Sequence, residues 1–202
     1  MLSMTRICLS LFALVCLCSC QTANQNRTDS NQSHPETTPA EKRSEPGNEK
    51  MSIKVTSTAF ADGEMMPKQY TCDGANVSPP LSWSGVPASA KALAIICDDP
   101  DAPGKTWVHW VVYDLPASLT SLTEKIATAT ELTGGGKQGM NDFKKIGYGG
   151  PCPPSGTHRY YFKLYALDAA TALKPGATKD QLLKAMEGHI VAQGQLMGRY
   201  KR

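Results

Sequence analysis

The chain is short of the features that mark several whole classes of protein. A formal net charge of +3 over 202 residues, with no long Lys/Arg cluster, provides no nucleic-acid surface. Long apolar runs are missing too: residues 7–17 fall short of the roughly 18 needed for a membrane span. The run Gly134-Gly135-Gly136 lacks the Lys-Ser/Thr ending and the strand-to-helix setting of a phosphate-binding loop. Ser155 follows Pro-Pro, outside any Gly-x-Ser-x-Gly nucleophile elbow. No His-x-Asp pair and no Cys/His spacing indicates a metal site, so no metal or other cofactor is expected. Strand–helix–strand repeats are absent as well, which argues against a parallel sheet. What remains has ordinary globular composition, 41% hydrophobic and 19% charged, at a length that suits one domain.

The front of the chain reads as a targeting segment. Arg6 supplies a positive start, residues 7–17 a short apolar stretch, and Leu17-Cys18-Ser19-Cys20 a processing site. That tetrad resembles a bacterial lipobox, which implies cleavage before Cys20 and acylation of Cys20. More than one acyl chain suits the purpose, because a single chain anchors only marginally. Residues 1–19 are thus expected to be a lipoprotein signal peptide. Gln21 after the cysteine implies the outer membrane facing the periplasm, for a Gram-negative source. Residues 20–50, rich in Asn, Gln, Ser, Thr, Pro and Glu, bury too little surface to order themselves and read as a tether. Thirty such residues reach about 30 Å. His34 lies in this tether as a solvated residue.

The folded domain is expected over residues 51–202. Residues 53–60, 68–72, 91–97, 107–114 and 158–168 read as strands, the third an almost unbroken apolar run suited to a sheet covered on both faces. Alternation in the fourth would put Trp107, His109, Val111 and Tyr113 on one face and Val108, Trp110 and Val112 on the other. In the fifth, His158, Tyr160, Phe162, Leu164 and Ala166 share a face. Residues 116–147 form a long irregular connection. Thr178 and Gln181 have the spacing of a capping box, which opens a helix of about ten residues. Gly188, Gly194 and Gly198 argue against its continuation, and alternation from Ile190 to Tyr200 predicts a final strand. The result is an all-β, β-rich fold of two packed sheets with one late helix. Cys72 and Cys152 lie in Gly/Pro-rich loops, whereas Cys97 ends an apolar strand; a Cys72–Cys152 bridge and three free thiols both remain open.

Chemistry concentrates in two places: Asp98-Asp99-Pro100-Asp101-Ala102-Pro103 with the following Trp107-Val108-His109-Trp110, and the stretch Gly149 to Tyr160. Prolines hold Asp99 and Ala102 extended. Asp99, His109 and His158 are therefore candidates to share a cleft, with Asp101, Trp107 and Tyr160 beside them. Such a set suits capture of a phosphate-like anion, with the carboxylate fixing a histidine tautomer. It also suits a metal site, or metal-assisted or acid–base hydrolysis using Asp99, His109 and His158, or hydrolysis with Ser155 as nucleophile and His158 as base.

The motifs Asp99-Pro100-Asp101-Ala102-Pro103, Trp107-Val108-His109-Trp110, Gly139-Met140-Asn141-Asp142-Phe143, Gly149-Gly150-Pro151-Cys152-Pro153-Pro154 and Gly156-Thr157-His158-Arg159-Tyr160 resemble, in order, the phosphatidylethanolamine-binding protein family in its bacterial, Raf kinase inhibitor-like branch. The resemblance covers residues 53–200. It implies a two-sheet β-sandwich whose small pocket binds phosphate-like anions or phospholipid headgroups, lined by Asp99, Trp107, His109, Gly150 and His158 with Tyr160 adjacent. It implies a binding protein, not an enzyme, with kinase or protease modulation among relatives. Eukaryotic members carry a further C-terminal helix with a pocket tyrosine; this chain stops at Arg202, so a more open site is expected. Neither whole-lipid binding nor kinase inhibition carries over.

Overall fold

A computed structural model describes residues 51–202, and for Met51 and Ser52 the backbone alone. The expected signal peptide, Cys20, His34 and the tether lie outside the described residues. In chain order the elements are β1 (Met51–Ser52), β2 (Lys54–Thr56), β3 (Leu81–Ser84), β4 (Ala92–Asp99), β5 (Trp107–Pro116), β6 (Ser121–Leu122), β7 (Lys137–Gln138), β8 (Thr157–Leu167), α1 (Lys179–Met186) and β9 (Ile190–Lys201). They form a six-stranded sheet ordered β1-β9-β8-β4-β5-β7 and a three-stranded sheet ordered β2-β3-β6. All pairings are antiparallel except β1 with β9. This is the β-rich, two-sheet fold with one helix that the sequence predicts.

β4 explains the architecture. All eight of its residues are buried, because both faces of the large sheet are covered. Leu93, Ile95 and Cys97 point into the core shared with the small sheet, beside Trp83, Leu81, Phe162 and Leu164. Ala94 and Ile96 point the other way, against Leu182 and Met186 of α1. A helix of eight residues has little stability of its own, so that contact holds it. The helix also carries the expected capping box at Thr178 and Gln181, and Gly188, at φ +78°, turns the chain into β9. On the helix side of β4 the fully buried Asp98 meets the ammonium groups of Lys163, at 2.8 Å, and Lys179.

Three expectations need correction. Residues 68–72 are not a strand: Lys68–Tyr70 forms a 3-10 turn after Pro67. The Tyr70 and Thr71 N–H groups bond back to Pro67 and Lys68, and the Thr71 hydroxyl reaches the Lys68 carbonyl at 2.8 Å. Local bonds thereby replace a sheet ladder. Residues 53–60 are not one strand either. β1 lies in the large sheet, Ile53 crosses over with its N–H on the Gln193 carbonyl at 2.9 Å, and β2 joins the small sheet.

The third correction concerns β5, whose alternation is re-phased. Cys97 faces Trp110 and Asp98 faces Val108, so His109 is an extra residue, a β-bulge. A second irregularity places Tyr113 and Asp114 opposite Ala94, with Asp114 at φ +55°. The outcome is Val108, Val111 and Tyr113 on the helix side and Trp110, Val112 and Leu115 in the inter-sheet core. In β8, by contrast, Tyr160, Phe162, Leu164 and Ala166 share the inter-sheet face as expected.

The crossing at Ile53 generates a test. A Cβ at Gly194 would lie 1.8 Å from the Ile53 carbonyl oxygen, a contact between two backbones that cannot yield. Gly194→Ala is expected to cost about 3 kcal/mol, the upper end for overpacking. Its urea unfolding midpoint measures this, and an unchanged midpoint would refute the close crossing.

Candidate functional site

At the end of β4 the chain leaves the sheet through Pro100 and Pro103, and β5 returns through the bulge at His109. The segment leading into β8 covers the gap between them. Together they enclose a cavity of about 220 Å3. Asp99, Trp107, His109 and His158 line it, and Phe143 and Cys152 complete the wall with neighbouring prolines. Asp99, His109 and His158 are buried despite their polarity.

Each of these polar groups has an assigned partner. Asp99 accepts the Asp101 N–H on Oδ1 at 2.8 Å and faces Nδ1 of His158 through Oδ2 at 2.8 Å. Sequence proximity had put the Asp99 loop beside His109; the structure gives its carboxylate to His158, 59 positions away. Asp101 secures the loop from outside: its carboxylate accepts the Arg159 backbone N–H and Nε–H at 2.9 Å and Nη2–H at 2.7 Å. Those bonds from Arg159 hold the Asp101 carboxyl below the usual carboxylate range.

His109 Nδ1 lies 2.6 Å from the Gly149 carbonyl oxygen. A carbonyl only accepts, so Nδ1 carries the hydrogen. The ring is held edge-on between Tyr160, 5.1 Å between centroids, and Phe143, 5.4 Å. Burial pushes the His109 pKa below its ordinary value, against the Gly149 carbonyl and the Asp99 carboxylate, which push it up. In both imidazoles, then, Nδ1 is spent on a wall oxygen. Among the described residues Nε2 of neither ring has a protein partner.

Two further donors are unpaired: the Trp107 indole N–H and the Tyr160 hydroxyl, both buried. Trp107 stands edge-on to Phe143 and has the Lys105 ammonium 5.3 Å from its ring. Lys105 in turn bonds Asp142, whose other oxygen accepts the Val108 N–H. Tyr160 does not line the cavity; it lies beneath His109, fully buried, and burial raises its pKa far above normal.

Gly150 does not line the cavity either. Its N–H donates to Asn76 Oδ1 at 2.7 Å, and a Cβ there would fall 2.4 Å from the Tyr70 carbonyl. It is a seam residue: the Tyr148 hydroxyl on the Tyr70 carbonyl and the Cys72 N–H on the Pro151 carbonyl continue the same seam. A disulfide between Cys72 and Cys152 closes it, with Cα atoms 5.4 Å apart, and the wall residue is Cys152. Cys97 is a buried free thiol. Phe143 and Cys152 stood inside motifs quoted above, yet nothing local showed that they face the cavity. Gln138 was missed outright: fully buried, it accepts the Trp110 indole N–H at 2.7 Å and donates to the Ala127 and Ala129 carbonyls. Ser155 is exposed and bonds neither histidine. Among the described residues no group of three or more His, Cys, Asp or Glu is arranged to hold a metal ion.

Comparisons with known proteins identify the family and the fold. The family model for phosphatidylethanolamine-binding protein matches residues 56–201. A UPF0098 protein of Methanothermobacter thermautotrophicus is 56% identical over 150 residues, 74% of this chain and 99% of that relative. One from Aquifex aeolicus is 47% identical over 153 residues, covering 74% and 89%. Among solved structures, CT736 from Chlamydia trachomatis, described as a homolog of phosphatidylethanolamine-binding protein, superposes with TM-score 0.69 at 44% identity, covering 75% of this chain and 98% of that one. E. coli YbcL, described as a member of the mammalian family, gives TM-score 0.70 at 34% identity, covering 75% and 99%.

The seam yields a measurable consequence. The disulfide spans 80 positions, and chain-entropy arguments assign such a loop about 4 kcal/mol. Reduction is expected to lower the stability measured by urea unfolding by about that amount; equal curves with and without reductant would contradict it.

Proposed function

Because the chain belongs to the phosphatidylethanolamine-binding protein family, we propose that its domain is a binding module that takes a phosphate-like oxyanion, free or as a phospholipid headgroup, into the Asp99–His109–His158 cavity. The observation that carries this reading is the pairing of both Nδ1 atoms with wall oxygens. That arrangement leaves two Nε2 atoms and the Trp107 N–H without partners at one small cavity. An unpaired buried donor such as the Trp107 N–H is costly and a ligand oxygen relieves it, while each imidazole Nε2 can donate to such an oxygen when it carries a proton. At about 220 Å3 the cavity is below the usual range for drug-sized ligands, about 300–1,000 Å3, so it suits a headgroup and not an acyl chain. Asp99 is then an orienting carboxylate for His158. A hydrolysis that needs a protein nucleophile has no support of this kind: among the described residues the only hydroxyl or thiol-type side chain lining the cavity is Cys152, which is tied up in the disulfide.

The membrane tether belongs to the same proposal. The lipobox-like tetrad ending at Cys20 and the polar stretch to residue 50 support a lipid-anchored protein of the bacterial envelope. There the domain samples the membrane surface within the tether's reach.

Two outcomes test these statements. Titration with phosphate or phosphoethanolamine is expected to shift the ring resonances of His109 and His158 while exposed His189, paired with Asp168, stays in place. Unmoved His109 and His158 signals would end the pocket reading. For the anchor, metabolic labelling with a radioactive fatty acid is expected to mark the protein and to be lost in Cys20→Ala; equal labelling of both would rule the anchor out.

A further inference from the structure

Among the described residues no lysine or arginine lines the cavity. For a site meant to hold an anion this is a strong constraint. Asp99 brings one negative charge, and His158, bonded to it, brings at most one positive charge. Without another proton, the wall therefore sums to zero or to minus one. We propose that the cavity binds an oxyanion together with one proton, held on His109 Nε2 and absent from the empty site. This rests on the anion-binding reading and specifies how that site recognises its ligand.

The contact between His109 and Gly149 supports it. The Gly149 carbonyl fixes the hydrogen on His109 Nδ1, so the neutral ring presents a bare lone pair at Nε2. An oxyanion oxygen set against that lone pair is repelled. The contact becomes a charge-assisted hydrogen bond once Nε2 is protonated. A ligand carrying its own acidic proton offers the same bond in the opposite sense, so phosphate brings the proton that sulfate cannot.

The groups around His109 fit a site poised in this way. From β4 come Asp99 and, across the sheet, Asp98, which is paired on the helix side with both Lys163 and Lys179. From β8 come His158 and the phenol of Tyr160, kept protonated by burial. The covering loop presents the Phe143 ring and the Gly149 carbonyl. From β5 comes the Trp107 N–H, and at the rim Lys105 is committed to Asp142.

The sign follows from linkage. Burial holds the empty-site pKa of His109 down, and an adjacent oxyanion raises it. Between the two values binding takes up one proton, and affinity falls as pH rises. For sulfate, the dissociation constant is expected to increase about tenfold per pH unit through that window.

The test is calorimetry on the full chain over roughly pH 6 to 8, with sulfate and with inorganic phosphate, in two buffers of different ionisation enthalpy. About one proton taken up per sulfate is expected, with the 15N signal of His109 Nε2 moving from a bare to a protonated nitrogen in the saturated complex. In His109→Gln the uptake is expected to vanish. Because that variant can fail to fold, the nitrogen signal of the unaltered protein decides independently. Sulfate bound without proton uptake at pH-independent affinity, or a proton that lands on His158, overturns the inference and leaves anion binding intact. Absence of binding by both anions at every pH overturns anion binding itself.

Discussion

Asp99 sits where the most buried strand of the molecule ends, and both of its oxygens are engaged. Oδ1 takes the Asp101 N–H and bends the chain out of the sheet; Oδ2 takes Nδ1 of His158 and sets that ring against the cavity. Neither bond is possible unless β4 is held at this depth, between α1 on one face and the small sheet on the other. Removing the carboxylate would strand a buried imidazole and loosen a loop at the same stroke. The Arg159–Asp101 pair adds little by comparison, because its charges are partly exposed and screened.

The bulge at His109 makes the opposite kind of contribution. A regular β5 would keep strict alternation through this stretch. One extra residue puts Trp110 in the inter-sheet core while His109 and Trp107 both line the cavity. Bulges are a recurrent means of re-aiming a side chain beside a functional site. Here the result is an imidazole walled by aromatic edges, with one nitrogen tied to the backbone and the other free.

Much of this was legible in the sequence. The unbroken apolar run of β4, the capping box at Thr178 and the glycine-spaced alternation of β9 each depend on neighbours along the chain, and each is seen. What escaped depends on neighbours across it. Residues 68–72 have the composition of a strand but find no partner strand. A bulge leaves no local mark, because Val108, His109 and Trp110 read as clean alternation until Cys97 and Asp98 are laid opposite them. The same limit applies to the site. The motifs brought Asp99, His109 and His158 together, but not the pairing between them. Gly150 sat in the right motif, two positions from Cys152, the residue that forms the wall.

The order of the large sheet bears on how the chain reaches this state. β1, the first described strand, lies beside β9, the last, and β9 is the partner of β8 over its full length. The sheet therefore cannot be completed until the C-terminal residues are present. Contacts of such long sequence separation make folding slow and late. A chain emerging residue by residue stays open through most of its synthesis, with its central strands uncovered. That is a liability while it waits, because uncovered strand edges are templates for pairing with other chains.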